Sequence, residues 1–488
     1  MKKGNFCSAV RFAALLLCLL LAGCGAAPAE EITAAQTDPV GTVVEATTEY
    51  FPETDVPAET EKDPEPKVEA TEPVEISDVP GTDALAGPDV TPDQPEPLIP
   101  ELSFSVLRSV MISEKIFDVS DEEDGEIATE SGSLAERALA AAGFNLRERT
   151  VYDIHAVAKR EINSGSADFD LMVFSCARSG GQLMSEGLLQ NMASVGIDLT
   201  ADSPYVNSSI TSDLVYNGKT YLLAFDAFTS DLPATWLTAV SEFSEEATML
   251  ADAALAGGLT FDRFIEILNS VDDPAGYTVD SGDFMPMAVY RAFGGSVILP
   301  EAREDGSGAA PAILSGASLA AFDKAKSFIA GSDEYYEDRV IITQASLVPE
   351  EYVKLPLPAL SDGSGYTSPV NANVINVASA PYGLREGNRL AAAMRILGEA
   401  ASGLRDEEVH RYFGNSLGDG YRELASMICE AQTVDFGQVL TWGDLSETIS
   451  GFIFDSDVQA SSLAGMSQLS RALKAFAAAE AILFQKLK

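Results

Sequence analysis

The stretch that decides the fold is Asp168 to Met192, DFDLMVFSCARSGGQLMSEGLLQNM. Leu171 to Phe174 is a short apolar run, bounded by Asp170 and by a polar turn from Ser175 to Gly181. Leu183, Met184, Leu188 and Leu189 then recur at helical spacing. This pattern predicts a buried strand, a loop at its carboxyl end, and a helix. In open α/β sheets ligands sit beyond the carboxyl ends of the strands, so the Ser175–Gly180 loop is the first candidate contact region.

Upstream, the same alternation repeats. Ser103–Met111 is strand-like. Ser133 caps a helix with Glu136 placed as in a capping box, Leu134, Ala138, Leu139 and Ala142 share its face, and Gly143 ends it. Asn145–Val151 reads as a second strand and Ile154–Ile162 as a second helix. Strand–helix–strand–helix–strand implies a parallel sheet with helices on its faces.

Downstream, Asn217-Gly218 between two apolar runs in Asp213–Phe225 marks a hairpin. Asp226–Ala234 is polar and breaks the pattern, as a crossing between two lobes would, and Thr235–Val240 resumes as a strand. A helical region follows: Thr260 capping Phe261, Phe264, Ile265 and Leu268, then Ser281–Phe293 and Ser315–Ile329, with Glu301–Pro311 as a loop. Arg339–Ser346 and Tyr352–Leu360 are β-like, and Pro356 and Pro358 place the second at an edge or a crossing. Ala372–Ala378 is a further strand. Helices are expected over Glu386–Ser402, Asp406–Phe413 and Asp419–Ala431, and a last one carries Leu469, Leu473, Phe476, Ala479, Leu483 and Leu487 on one stripe.

The amino terminus has a different character. Lys2, Lys3 and Arg11 precede an apolar run, Phe12–Ala22, too short for a mature transmembrane span. It ends in Leu21-Ala22-Gly23-Cys24, which looks like a bacterial lipobox with Cys24 as the lipid-bearing thiol. Residues 1–23 are therefore expected to be a signal peptide, with the chain anchored through Cys24 on the outer face of a membrane. From residue 24 to 101 the composition is rich in Pro, Glu and Thr, with 20 acidic and 2 basic residues after Cys24. Such a segment cannot bury enough apolar surface to offset its ordering entropy, so it reads as an extended stalk. The whole chain has 75 acidic and 31 basic residues, a formal charge of −44, which disfavours nucleic acid and anionic lipid as partners. Outside the signal and the anchor only Cys176 and Cys429 remain. We expect them to be free thiols, since spacing alone fixes no pairing.

The order of these parts resembles an extracellular solute-binding lipoprotein of an ABC importer, in the sugar-binding group typified by maltose-binding protein and its Gram-positive anaerobe branch. The stretches that carry the resemblance include Ile112–Asp118, Asp168–Phe174 with Arg178–Leu183 and Glu186–Leu189, and Asn217–Tyr221. Further on they include Ala234–Trp236, Ala292–Gly295, Leu355–Pro358, Tyr366 with Ser368–Asn371, and Thr441–Leu445. The pattern departs at Asp226-Ala227-Phe228, where a glycine-aspartate start is expected, and Asp121–Glu136 lacks an Arg-Asn pair. The resemblance implies an α/β, two-lobed periplasmic-binding-protein-like fold of type II, each lobe a sheet flanked by helices. Residues 102–488 would form the body, with lobe 1 at about 102–230 plus 353–402 and lobe 2 at about 231–352 plus 403–488. It implies a monomer that closes on a small solute, a sugar or oligosaccharide, and passes it to permease subunits. No enzyme activity, cofactor or metal is expected.

Sugar sites pair aromatic faces with carboxylates and amides. The resemblance therefore nominates Ser175, Arg178, Phe225, Asp226, Phe228, Asp231, Trp236, Asp283, Phe284, Tyr290, Tyr366 and Asn371. Each has a plainer role available: Phe225 and Trp236 sit in apolar strands where core packing is the commoner fate. His155 and His410 are the only histidines, and no HExxH, paired-cysteine zinc spacing or P-loop occurs. The acidic run Asp121–Glu126 lacks EF-hand spacing. Two alternatives remain: a peptide-binding protein, and a surface adhesion or scaffold lipoprotein on the same fold that has lost transport.

Overall fold

The computed structural model describes residues 102–118, 132–200, 203, 205–272, 276–281, 284–298, 312–332, 339–361, 363–440, 448, 450–451 and 463–486. The signal peptide, Cys24, the stalk, the acidic run 121–126, Asp283, the 301–311 loop and the 441–445 motif lie outside the described residues.

The first sheet is built as the alternation predicts. Strand β1 (Leu102–Ser109) is followed by helix α1 (Leu134–Ala141), β2 (Phe144–Val151), α2 (Ile154–Ser164) and β3 (Leu171–Ser175). Ser133 Oγ accepts the Glu136 N–H at 3.2 Å, and Asp153 caps α2 in the same way at 2.9 Å. β1 pairs in parallel with β2 and β3, and the sheet order is β2-β1-β3-β12-β4, with β4 at Leu189–Gln190 and β12 at Asn376–Pro381. β3 is buried along Leu171–Phe174, as a strand covered on both faces must be.

After β3 the sequence expectation of one helix reaching Leu189 is corrected. A π-helical turn (Cys176–Gly180) leads into a short helix α3 (Gly181–Ser185), and Leu189–Gln190 instead form strand β4. Gly187, at φ 70°, turns the chain out of the helix, so Leu189 enters the sheet and Leu188 is buried just before it.

Helix α4 (Ser208–Asp213) precedes the hairpin β5 (Val215–Tyr216) and β6 (Lys219–Thr220). Asn217 and Gly218 both have positive φ, 51° and 67°, as a two-residue type I′ turn requires. Leu223 then bridges Ala378 of the first sheet, and the chain leaves for the second sheet through Asp226–Thr235.

The second sheet has the order β10-β7-β9-β8. It contains β7 (Trp236–Ser241), β8 (Thr278–Val279), β9 (Val340–Gln344) and β10 (Tyr352–Leu355), interleaved with helices α5 (Glu245–Leu255), α6 (Phe261–Ser270), α7 (Met285–Ala292) and α8 (Gly316–Ala330). β7 is central and buried on both faces. Trp236 and Val240 join the main apolar core, whereas Leu237 and Ala239 join a second core with Leu232, Ala345, Phe413 and Ile428. The prolines at 356 and 358 fall beyond β10, where the chain returns to the first sheet. β11 (Ser368–Pro369) and β12 (Asn376–Pro381) complete that return. The expected strand over Ala372–Ala378 is displaced, because Ala372–Ile375 form a turn and β12 starts at Asn376. At the crossing the outgoing and returning segments lie side by side, Thr235 opposite Val370.

The two helices expected between Glu386 and Phe413 are one. α9 runs without a break from Gly387 to Phe413, 27 residues, about 40 Å long. No proline interrupts it, and Gly403 sits where a Cβ would meet nothing. Leu390, Ala393, Met394, Leu397 and Ala401 pack on the main core, and Phe413 reaches the second core. α10 (Arg422–Glu430), β13 (Gln432–Thr433, parallel to β11), α11 (Phe436–Leu440) and α12 (Leu463–Lys486) follow, with Leu469 of α12 buried. No helix among the described residues is long and apolar enough to cross a membrane. Cys176 and Cys429 are free thiols, and burial pushes Cys429 up to about 12.

Two helical glycines have opposite surroundings. A Cβ on Gly181 would lie 2.6 Å from the Val439 carbonyl oxygen and 3.2 Å from Leu440 Cα, whereas one on Gly403 meets open space. Gly181→Ala is expected to cost about 1–3 kcal/mol, and Gly403→Ala to add about 0.5–1 kcal/mol. Urea midpoints with unchanged slopes check both; equal shifts in the same direction would contradict this packing.

Candidate functional site

The polar segment Asp226–Thr235 must pass between two apolar sheets, so its carboxylates need partners. α9 supplies them through Arg405. Its guanidinium donates to Asp231 through both Nη atoms, at 3.1 and 2.7 Å, and to the Phe228 carbonyl oxygen at 2.7 Å. Nε lies 2.9 Å from Asp226 Oδ1. Burial acts to lower the guanidinium's proton affinity, but Asp231 and Asp226 more than offset it and hold Arg405 above its ordinary value. At Asp226 burial raises the carboxyl by more than Arg405 lowers it.

The chain of bonds continues inward. Asn207 Nδ2 donates to Asp231 Oδ2 and to Gln432 Oε1, both at 3.3 Å. Gln432 Nε2 donates to Thr235 Oγ1 at 2.8 Å, and Thr235 donates to the Asp231 carbonyl oxygen at 2.7 Å. On the other side Glu114, from the turn after β1, accepts the Thr229 N–H at 2.9 Å and Asn376 Nδ2 at 2.6 Å. Glu114 is 1% exposed, and burial outweighs these donors, raising its carboxyl to about 7. Lys115 next to it reaches Glu408 of α9 at 2.6 Å. Residues from 114 to 432 are thus tied at one junction.

Beside this junction opens a polar recess of about 390 Å³, within the range of small-ligand sites. Ser209 and Asp213 of α4 line it from the first-sheet side; Arg291 of α7, Tyr366, Glu430 and Thr433 line the rest. Arg291 Nη2 donates to Thr433 Oγ1 at 2.7 Å, and Thr433 donates to Asp213 Oδ2 at 2.5 Å. The Val434 N–H also reaches Asp213 Oδ2, at 3.0 Å. Tyr366 is held by its hydroxyl, which donates to the Ala254 carbonyl oxygen at 2.8 Å and accepts the Leu259 N–H at 3.2 Å. One aromatic ring, hydroxyls, carboxylates and a guanidinium in one recess can bind a hydroxylated solute through both donors and acceptors.

The residues nominated by sequence are not brought to one place. Asp226 and Asp231 meet on Arg405, and Tyr366 lines the recess. Ser175 and Asn371 meet at one turn: Ser175 Oγ donates to the Asn373 carbonyl oxygen at 2.8 Å, and the Asn373 N–H reaches Asn371 Oδ1 at 3.1 Å. Arg178 is exposed, with no partner among the described residues. The aromatic platform is corrected: Phe225, Phe228, Trp236, Phe284 and Tyr290 are all buried in the core, and none lines the recess. Phe225 packs edge-on to Phe228 at 5.1 Å, Trp236 lies 6.5 Å from Phe284, and Tyr290 lies 4.5 Å from Phe322. Burying each ring is worth more than leaving it at a polar surface. Asp213, Arg291, Glu430 and Thr433 were missed, because the recess joins segments some 220 positions apart and no local spacing marks them.

No protein-family model matches the chain, and no curated protein matches it. Among solved structures it is similar to MalX from Streptococcus pneumoniae in complex with maltopentaose, at 13% identity and a TM-score of 0.42, over 79% of this chain and 100% of that one. It is also similar to the maltose-binding periplasmic protein MalE from Listeria monocytogenes in complex with maltose, at 12% identity and a TM-score of 0.41, over 80% and 99%. A third is the GacH receptor of Streptomyces glaucescens, at 13% identity and a TM-score of 0.38, over 78% and 99%.

Two outcomes follow from the junction. Arg405→Met strands Asp231 in the interior and is expected to cost about 3–5 kcal/mol, read by urea unfolding; a loss under 1 kcal/mol would show that the ion pairs hold nothing together. Glu114 has a raised folded value, so its contribution to stability is full below about 4.5 and is lost as pH rises through about 7. Relative to Glu114→Gln, the native chain should therefore lose on the order of 3 kcal/mol between pH 4 and pH 8. A pH-independent difference between the two would mean that Glu114 does not titrate in that window.

Proposed function

We propose that the chain is a membrane-anchored, extracellular solute-binding protein that captures a small hydroxylated solute, a sugar or oligosaccharide, between two lobes and delivers it to an ABC permease. The observation that carries this reading is the recess beside the crossing, lined by α4 on the first-sheet side and by α7 and β13 on the other. A ligand touching both sides favours whichever arrangement of the two sheets lets all its contacts form at once. In this reading lobe 1 is about 102–230 plus 353–402, lobe 2 is about 231–352 plus 403–488, and the body works as a monomer without cofactor or catalysis. Leu21-Ala22-Gly23-Cys24 supports lipid attachment at Cys24, with 24–101 as the tether.

A second reading, a surface scaffold on the same architecture, has one observation in its favour. The large rings are buried in the core, while Tyr152 and Phe243 stand more than 80% exposed.

Thermal unfolding against panels of mono- and oligosaccharides and short peptides separates the readings. A solute at a hundred times its dissociation constant should add about 2.7 kcal/mol of stability. Glu430→Gln should weaken that solute at least about tenfold, about 1.4 kcal/mol, without lowering the melting temperature of the free protein by a comparable amount. A rise with peptides alone would overturn the sugar assignment, and no rise with any solute would favour the scaffold.

A further inference from the structure

A second, larger recess of about 660 Å³ opens on the first sheet, lined by Ser103 and Ser105 of β1, Arg147 of β2, the α2–β3 connection, and the segment from Pro381 to Arg389. Its charges are unevenly used. Asp170 is held by Arg389 and by the Ser105 N–H at 2.9 Å. Glu386 is held by Arg389 at 2.7 Å, and Asp168 lies 3.6 Å from Arg149. Every acidic side chain on the wall thus already has a cationic partner. Arg147, which stands opposite Ser105 in the sheet, and Arg385 are exposed and have none among the described residues. Two uncommitted guanidiniums facing one recess form an anion-binding surface on a chain of formal charge −44.

The anion closest at hand is the chain itself. Residues 25–101 carry 20 acidic and 2 basic side chains, and they join the body at Leu102, one residue before the wall of this recess. Asp93, Glu96 and Glu101 lie within nine residues of that junction, and six extended residues span about 20 Å. Leu98 and Ile99 lie between them. Leu102 and Tyr382 are exposed where that segment enters, 52% and 65%. A tethered ligand of this kind acts at millimolar effective concentration, so weak individual ion pairs suffice.

We propose that residues 93–101 dock back onto this recess, placing their carboxylates on Arg147 and Arg385 and laying Leu98 and Ile99 over Leu102 and Tyr382. The docked segment stands apart from the solute recess and does not depend on the solute-binding reading.

Carboxyl footprinting of the full chain tests this, with carbodiimide and glycine ethyl ester as probes and mass spectrometry as the readout. At low salt Asp93, Glu96 and Glu101 should react about threefold more slowly than Glu59 and Glu61, and the protection should vanish at about 0.5 M salt. It should also vanish in Arg147→Glu/Arg385→Glu, whose exposed positions leave the melting temperature unchanged. Equal reactivity along 59–101 in the native chain, or protection that survives the double substitution, overturns the proposal. Added succinate that shields Arg147 and Arg385 from phenylglyoxal while 93–101 stay fully reactive also overturns it, since the site would then serve a free dianion.

Discussion

The segment that leaves the first sheet for the second is held by the guanidinium of Arg405. An arginine is suited to this place because its planar fork satisfies a carboxylate through two bonds and still has donors for a second carboxylate and a carbonyl. The constraint is that Asp226–Thr235 must leave one apolar core for another with its carboxylates intact. Without a cation on α9, Asp231 would be a bare interior charge, which no packing could offset. The helix carrying that cation must then reach the crossing, which explains why α9 continues past the first core rather than stopping at Ser402.

The parts of the fold legible in the sequence were those fixed by neighbours a few residues apart. The β1–α1–β2–α2–β3 alternation, the Asn217-Gly218 turn and the caps at Ser133 and Thr260 are all present. Local signals misled where tertiary contacts outvoted them. Leu188 and Leu189 have helical spacing, but Leu189 is drawn into the sheet beside β12, and the stretch around Gly403 looks like a break yet stays helical because both ends of the helix are packed.

Asp226 and Asp231 stood out in the sequence because a polar interruption between apolar strands must be accounted for somewhere, and both meet on Arg405. The rings of Phe225, Phe228, Trp236, Phe284 and Tyr290 fit the pattern of a binding platform and of a core equally well, and the core claimed them. Arg405 and Glu114 carry no local mark at all. Each acquires its meaning from a partner far away in sequence: Glu114 from Asn376, and Arg405 from Asp231, 174 positions before it.

α9 has its two ends in different cores, Leu390 to Ala401 in one and Phe413 in the other. A continuous rod of that length behaves as a strut. If the sheets pivot about the Thr235–Val370 contact, the strut must either flex near its middle or pull one of its ends loose. Its midpoint holds Gly398 and Gly403, and the Cβ-free space at Gly403 is where curvature costs least. Were the sheets to pivot, the same helix that supplies the cation for the crossing would set how stiff that motion is.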